Sequence, residues 1–180
     1  MTETTPTWTA PPVERSDPPY VAGEHAALEG WLDYHRQTLL WKCAGLTTEQ
    51  LKTRACPPSP LSLLGLVRHM ADVERVWFRT RIAGEDVRPE FWADGRDDDF
   101  DRADSADPEQ DFARYAAEIE AARAVMSGRD LDDTFTSHSR DGTTYTLDLR
   151  WVMVHMIEEY ARHNGHADLL REAIDGVTGD

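Results

Sequence analysis

The stretch H-M-I-E-E-Y-A-R-H-N-G-H, residues 155 to 166, holds three of the chain's seven histidines and two glutamates. Imidazole and carboxylate are the ordinary ligands of divalent cations. On an α-helix each residue advances ~100° and rises ~1.5 Å. Taking His155 as zero, Glu159, His163 and His166 fall at roughly 40°, 80° and 20°, so all four share one face. Residues four apart are ~6 Å apart along the axis, within reach of one ion, whereas His155 and His163 are ~12 Å apart and too far for one tetrahedral site. The feasible pairs are His155/Glu159, Glu159/His163 and His163/His166. A third ligand must come from another helix, and His69, between Val67, Met70 and Val73, is the natural donor. Without such a partner, the same residues would read as an amphipathic surface with hydrogen-bonded core histidines.

Those residues need helices to carry them. Leu28, Trp31, Leu32, Leu39 and Trp41 predict a helix from about Gly23 to Ala44, stopped by Gly45. Thr47 or Thr48 caps a short turn, T-T-E-Q-L-K-T-R. After Pro57, Pro58 and Pro60, Ser59 or Ser62 caps a second long helix. Its stripe of Leu63, Leu66, Val67, Met70, Val73 and Trp77 runs to about Ala83, and Gly84 ends it. Asp107 followed by Pro108 opens a third helix to about Ser127, closed by Gly128. The Asp-Gly pair at 141–142 predicts a short β-hairpin or extended loop within residues 129–146, near Arg140–Tyr145. The last helix runs from about Asp148 to Ile174. The expected class is all-α: a four-helix bundle with at least one crossover, and a short hairpin or loop before the last helix. Residues 1–19, with five of the ten prolines, read as a flexible or surface-lying arm; residues 20–180 read as one domain.

The formal charge is −15 over 180 residues. Between Gly84 and Asp111 twelve acids face three arginines, a local −9. Such a field repels phosphate backbones, so nucleic acid is not an expected partner. The acidic stretch lacks the spaced pattern of a calcium loop and reads as a solvated loop, pinned by Phe91, Trp92 and Phe100. No apolar run reaches the ~20 residues of a membrane span, and the N-terminus resembles no targeting signal, so the expected location is the cytoplasm. Cys43 and Cys56 read as packing or surface thiols rather than a disulfide or zinc pair. No G-x-S-x-G, P-loop or dinucleotide glycine motif is present. A homodimer is compatible with the sequence.

The segments L-V-R-H-M-A-D-V-E-R-V-W-F around His69 and M-I-E-E-Y-A-R-H-N-G-H-A-D-L-L-R-E in the last helix resemble the DinB-like superfamily. The likeness covers about residues 20–176. It is closest to the actinobacterial branch with mycothiol-dependent S-transferases and the N-terminal domain of mycothiol-dependent maleylpyruvate isomerase. The isomerase itself fits less well, because it resembles a two-domain chain and this one ends soon after the bundle. Aligning the typical H-x-x-x-H-R-G-Q motif puts Glu159 at the first ligand position and His163 at the second. His166 stands where glutamine usually does, which leaves it a role beside the metal or in the pocket. The resemblance thus implies a site of His69, Glu159 and His163, with His155 as a hydrogen-bonded residue of the core or cavity wall. Zinc is the expected ion, with nickel or iron as alternatives, and a thiol such as mycothiol is the implied cosubstrate. Two imidazoles and one carboxylate leave the ion cationic with an open position, the catalytic pattern. A thiol entering there would lose its proton more readily and could attack an electrophilic carbon, a detoxification chemistry. The competing expectations are a metal-dependent hydrolase using His166 or Glu158 as base, and a protein that binds metal or ligand without turnover.

Overall fold

A computed structural model describes residues 8–92, 97–138 and 141–179. Residues 1–7 of the arm, Asp94 and Arg96 of the acidic stretch, and Arg140 of the expected hairpin turn lie outside these.

Helix α1 spans Glu24–Cys43, and Gly45 follows with φ of 76°. The short α2, Thr48–Lys52, opens with a reciprocal capping box between Thr47 and Gln50. Ser62, of the two serines considered, caps α3 (Leu63–Glu74) by accepting a hydrogen bond from the Gly65 N–H at 3.1 Å. Leu63, Leu64, Leu66, Val67 and Met70 of α3 are wholly buried. The helix does not run on unchanged to Ala83 as the stripe suggested. From Arg75 to Ile82 it widens into a π-helical turn, and Gly84 then takes a φ of 70° that favours glycine.

The connection after Gly84 is not simply the solvated loop expected from its charge. The Asp72 carboxylate accepts the backbone N–H groups of Glu90, Phe91 and Trp92. A short helix α4 (Asp98–Asp101) follows. Arg68 donates to the carbonyls of Asp98 and Asp99 and to the Asp111 carboxylate, with its guanidinium 4.0 Å from the Phe91 ring centroid. Asp99 and Asp111 are therefore buried, because each has a cationic or imidazole partner. Phe91 is buried and Trp92 and Phe100 pack against the core, as the sequence suggested.

Helix α5 (Pro108–Met126) begins at the Asp107 cap with proline in its first turn. Strands β1 (Thr134–His138) and β2 (Thr144–Asp148) pair antiparallel, and Gly142 between them has φ of 84°. Helix α6 (Leu149–Asp175) is capped by Asp148 and closed by a left-handed Gly176. The described residues are thus mostly helical, with a small two-stranded sheet. No helix among the described residues is long and apolar enough to cross a membrane.

Helix α1 packs on α6, and α3 packs on α5. One buried polar network joins all four. Arg36 of α1 grips both carboxylate oxygens of Glu74 on α3 at 2.7 Å. Tyr160 of α6 donates to Glu74 Oε1 at 2.7 Å, and Tyr115 of α5 donates to the Tyr160 oxygen at 2.9 Å. Glu74 and Tyr160 are each 0% exposed. Every partner is therefore a group that would otherwise be costly to bury, which fixes the axial alignment of α3 against α6. Cys43 is buried in the same core, where desolvation pushes its thiol up to about 12, so it is a packing residue. Residues 8–19 lie along the body: Trp8 meets Phe112 edge-on, Thr9 bridges to Thr47, and Arg15 lies 4.2 Å from the Trp41 ring centroid.

Candidate metal centre

The alignment of α3 against α6 sets His69 beside the histidine-rich face of the last helix. The rings of His69 and His163 lie with centroids 4.8 Å apart. His163 Nε2 is 3.6 Å from Glu159 Oε2, one helical turn earlier. His166 Nδ1 lies 3.4 Å from His163 Nδ1, and its ring meets His163 edge-on. His163 is pushed down to about 4, first by burial and then by its neighbours His69 and His166. It is therefore neutral at pH 7, the form in which imidazole ligates a metal.

Sequence reasoning missed Asp99. Its Oδ2 lies 2.8 Å from His69 Nδ1 and is almost wholly buried. A carboxylate there assigns the proton to Nδ1 and leaves the Nε2 lone pair for a ligand, the arrangement that commonly orients a metal-binding histidine. Arg68 holds the backbone that carries Asp99, and Phe100 places its ring 5.7 Å from that of His69. Gly65 makes this possible. A Cβ at that position would sit 2.5 Å from Phe100 Cδ1. Gly65→Ala is expected to push Phe100 and α4 outward, costing about 1–3 kcal/mol as overpacking and weakening metal binding by disturbing Asp99. Thermal melting and a metal titration check this; two unchanged values would contradict it.

His155 occupies the wall of the adjoining cavity. It stacks on Trp151 at 5.0 Å and lies 4.5 Å from the Trp77 centroid. Its Nε2 is 3.6 Å from Glu159 Oε1, so the two oxygens of Glu159 face two different histidines. Among the described residues, the group whose ligand atoms all lie within 4.8 Å of one another is His155, Glu158 and Glu159. Glu158 is half exposed and paired with Arg162. The cavity, of about 630 Å³, is lined by His69, Asp99, His155 and Glu159 on its polar side and by Trp77 and Phe100 on its aromatic side. The residue types suit a divalent cation: imidazoles and a carboxylate, with Asp99 behind one imidazole, beside an opening large enough for a small molecule.

Neither a curated protein nor a solved structure matches the chain. A family model described as mycothiol-S-transferase matches residues 27–176, which takes in His163 and the cavity lined by His69, Asp99 and Glu159. The chain belongs to the mycothiol S-transferase family.

Proposed function

We propose that the chain is a divalent-metal-dependent S-transferase that joins a low-molecular-weight thiol, mycothiol by family, to an electrophilic small molecule. His69, Glu159 and His163 hold the ion in this reading. The observation that carries it is the hydrogen bond of buried Asp99 to the partly exposed His69, beside His163 at the edge of an open cavity. The alternative group His155, Glu158 and Glu159 lies on one helix and uses an exposed carboxylate already paired with Arg162. An ion held by ligands from two helices is better closed and better desolvated. When bound, the ion, with zinc first and nickel or iron next, supplies the positive charge that favours thiolate over thiol.

The chain's own residues do the rest. Asp99 keeps the His69 proton on Nδ1 and its ring in one orientation. His166 leans on His163 and limits its rotation. Trp77 and Phe100 make one side of the cavity apolar, which strengthens the electrostatics within it. The same reading takes residues 20–180 as one DinB-like four-helix bundle, a detoxifying enzyme of the cytoplasm.

The test gives the metal-loaded protein a chromogenic electrophile with mycothiol, bacillithiol or glutathione, and an ester without thiol. Thiol-dependent loss of electrophile, fastest with mycothiol, is the expected result. Ester hydrolysis that proceeds without thiol would replace this reading with a metal-dependent hydrolase.

A further inference from the structure

Three arginines punctuate the π-helical turn, and two are neutralised. Arg75 pairs with Glu118, and Arg79 pairs with Glu85 and Glu118. Among the described residues Arg81 has no ion pair and no hydrogen bond, although it is half-buried in a chain of net charge −15. Its guanidinium lies over Trp77, 3.9 Å from the ring centroid. With one face covered, the in-plane N–H donors remain available. Burial lowers its pKa, and desolvation of a cation without a counter-ion is unfavourable.

Its position is also singular. Arg81 lines the cavity beside His69 and Glu159, the adjoining cavity of about 700 Å³ toward Thr136 and Ser137, and a smaller one of about 190 Å³ beneath Leu147 and Trp151. Its charge is felt at His155, which it helps keep neutral.

We propose that Arg81 anchors a carboxylate of the electrophilic substrate, whose apolar body lies against Val73 and Phe100 with its reacting carbon toward His69 and Glu159. The proposal rests on the transferase reading and adds its substrate class: small organic acids with an aromatic or unsaturated body. A planar guanidinium edge matches a carboxylate bidentately. Asp97, Asp99 and Glu159 line the same cavity and disfavour a phosphate dianion.

Calorimetric titration of the metal-loaded protein with benzoate, benzamide and inorganic phosphate, without thiol, tests the anchor by itself. Benzoate is expected to bind best, and Arg81→Gln to weaken it about tenfold to a hundredfold, the size of one lost charge-assisted pair. Arg81→Lys should fall between, since it keeps the charge and loses the fork; thermal melting of both variants verifies folding. In turnover, 4-chloro-3,5-dinitrobenzoate is compared with its methyl ester. The thiol sulfur bonds to the ring carbon, the carbon–chlorine bond breaks, chloride leaves with its electron pair, and the thiol proton passes to water. The preference for acid over ester should fall in Arg81→Gln by the same factor. Equal benzoate binding in wild type and Arg81→Gln would overturn the anchor, and phosphate binding tighter than benzoate would overturn the carboxylate class. Arg81-dependent benzoate binding without any thiol-dependent turnover supports the anchor while sinking the transferase reading.

Discussion

Glu74→Ala is expected to lower the unfolding free energy by about 3–5 kcal/mol, the usual consequence of breaking a buried ion pair. The substitution leaves the Arg36 guanidinium buried with only the partly exposed Asp33 as an acidic partner, and takes the acceptor from the Tyr160 hydroxyl. Both partners have ionisation equilibria bound up with Glu74. It holds Arg36 firmly protonated, while burial and the same carboxylate keep Tyr160 neutral. Urea unfolding followed by circular dichroism measures the loss. The double variant Arg36→Met with Glu74→Leu should recover most of it, because apolar groups of similar volume remove the orphaned charge. A loss under about 1 kcal/mol for Glu74→Ala would show that water or Asp33 satisfies Arg36, since that is the range of exposed pairs. Because the network ties α3 to α6 five residues from His69 and one from Glu159, the single variant should also loosen the metal site.

Asp99→Ala is expected to weaken metal binding about tenfold to a hundredfold, the usual effect of removing the carboxylate behind a ligating histidine. The fold should survive, because Arg68 keeps Asp111 and the backbone carbonyls of residues 98 and 99. Asp99→Asn should cost less, since the amide oxygen still accepts from Nδ1 while the charge is gone. Competition with a chromophoric chelator gives the affinities. Equal affinity in wild type and Asp99→Ala would mean that His69 is not held through its Nδ1.

The parts of the candidate site that lie on one helix could be placed together from the sequence. Glu159 and His163 are one turn apart, and helical geometry alone puts them on a shared face. His69 was legible because it interrupts an otherwise apolar stripe. Asp99 was not, because its partner is thirty residues away and its neighbours Asp97, Asp98 and Asp101 make it look like one more solvated charge. Only folding sorts that stretch into acids that face water and acids that face Arg68 or His69. The π-helical turn was hidden as well. Val73 and Trp77 continue the α-helical stripe, and the change in backbone pairing at Arg75 leaves no mark in residue type. Nothing in the sequence singles out Arg81, which the turn sets over Trp77 at the cavity. Arg36, Glu74, Tyr115 and Tyr160 occupy unremarkable helix positions, and their meeting depends on how four helices align. Turn and cap chemistry was the most local signal: Ser62, Asp107 and Gly84 act at the ends expected of them, while the left-handed Gly176 that closes the last helix was not anticipated.

Metal content of purified His69→Ala tests the central claim most directly. Glu159 and His163 share one helix and leave an ion open on the side that α3 supplies. The account predicts that bound metal falls from about one ion per chain to a small fraction of that, with helix content unchanged by circular dichroism, and that His155→Ala keeps its metal. Full occupancy in His69→Ala together with loss in His155→Ala would contradict the account and assign the ion to His155, Glu158 and Glu159.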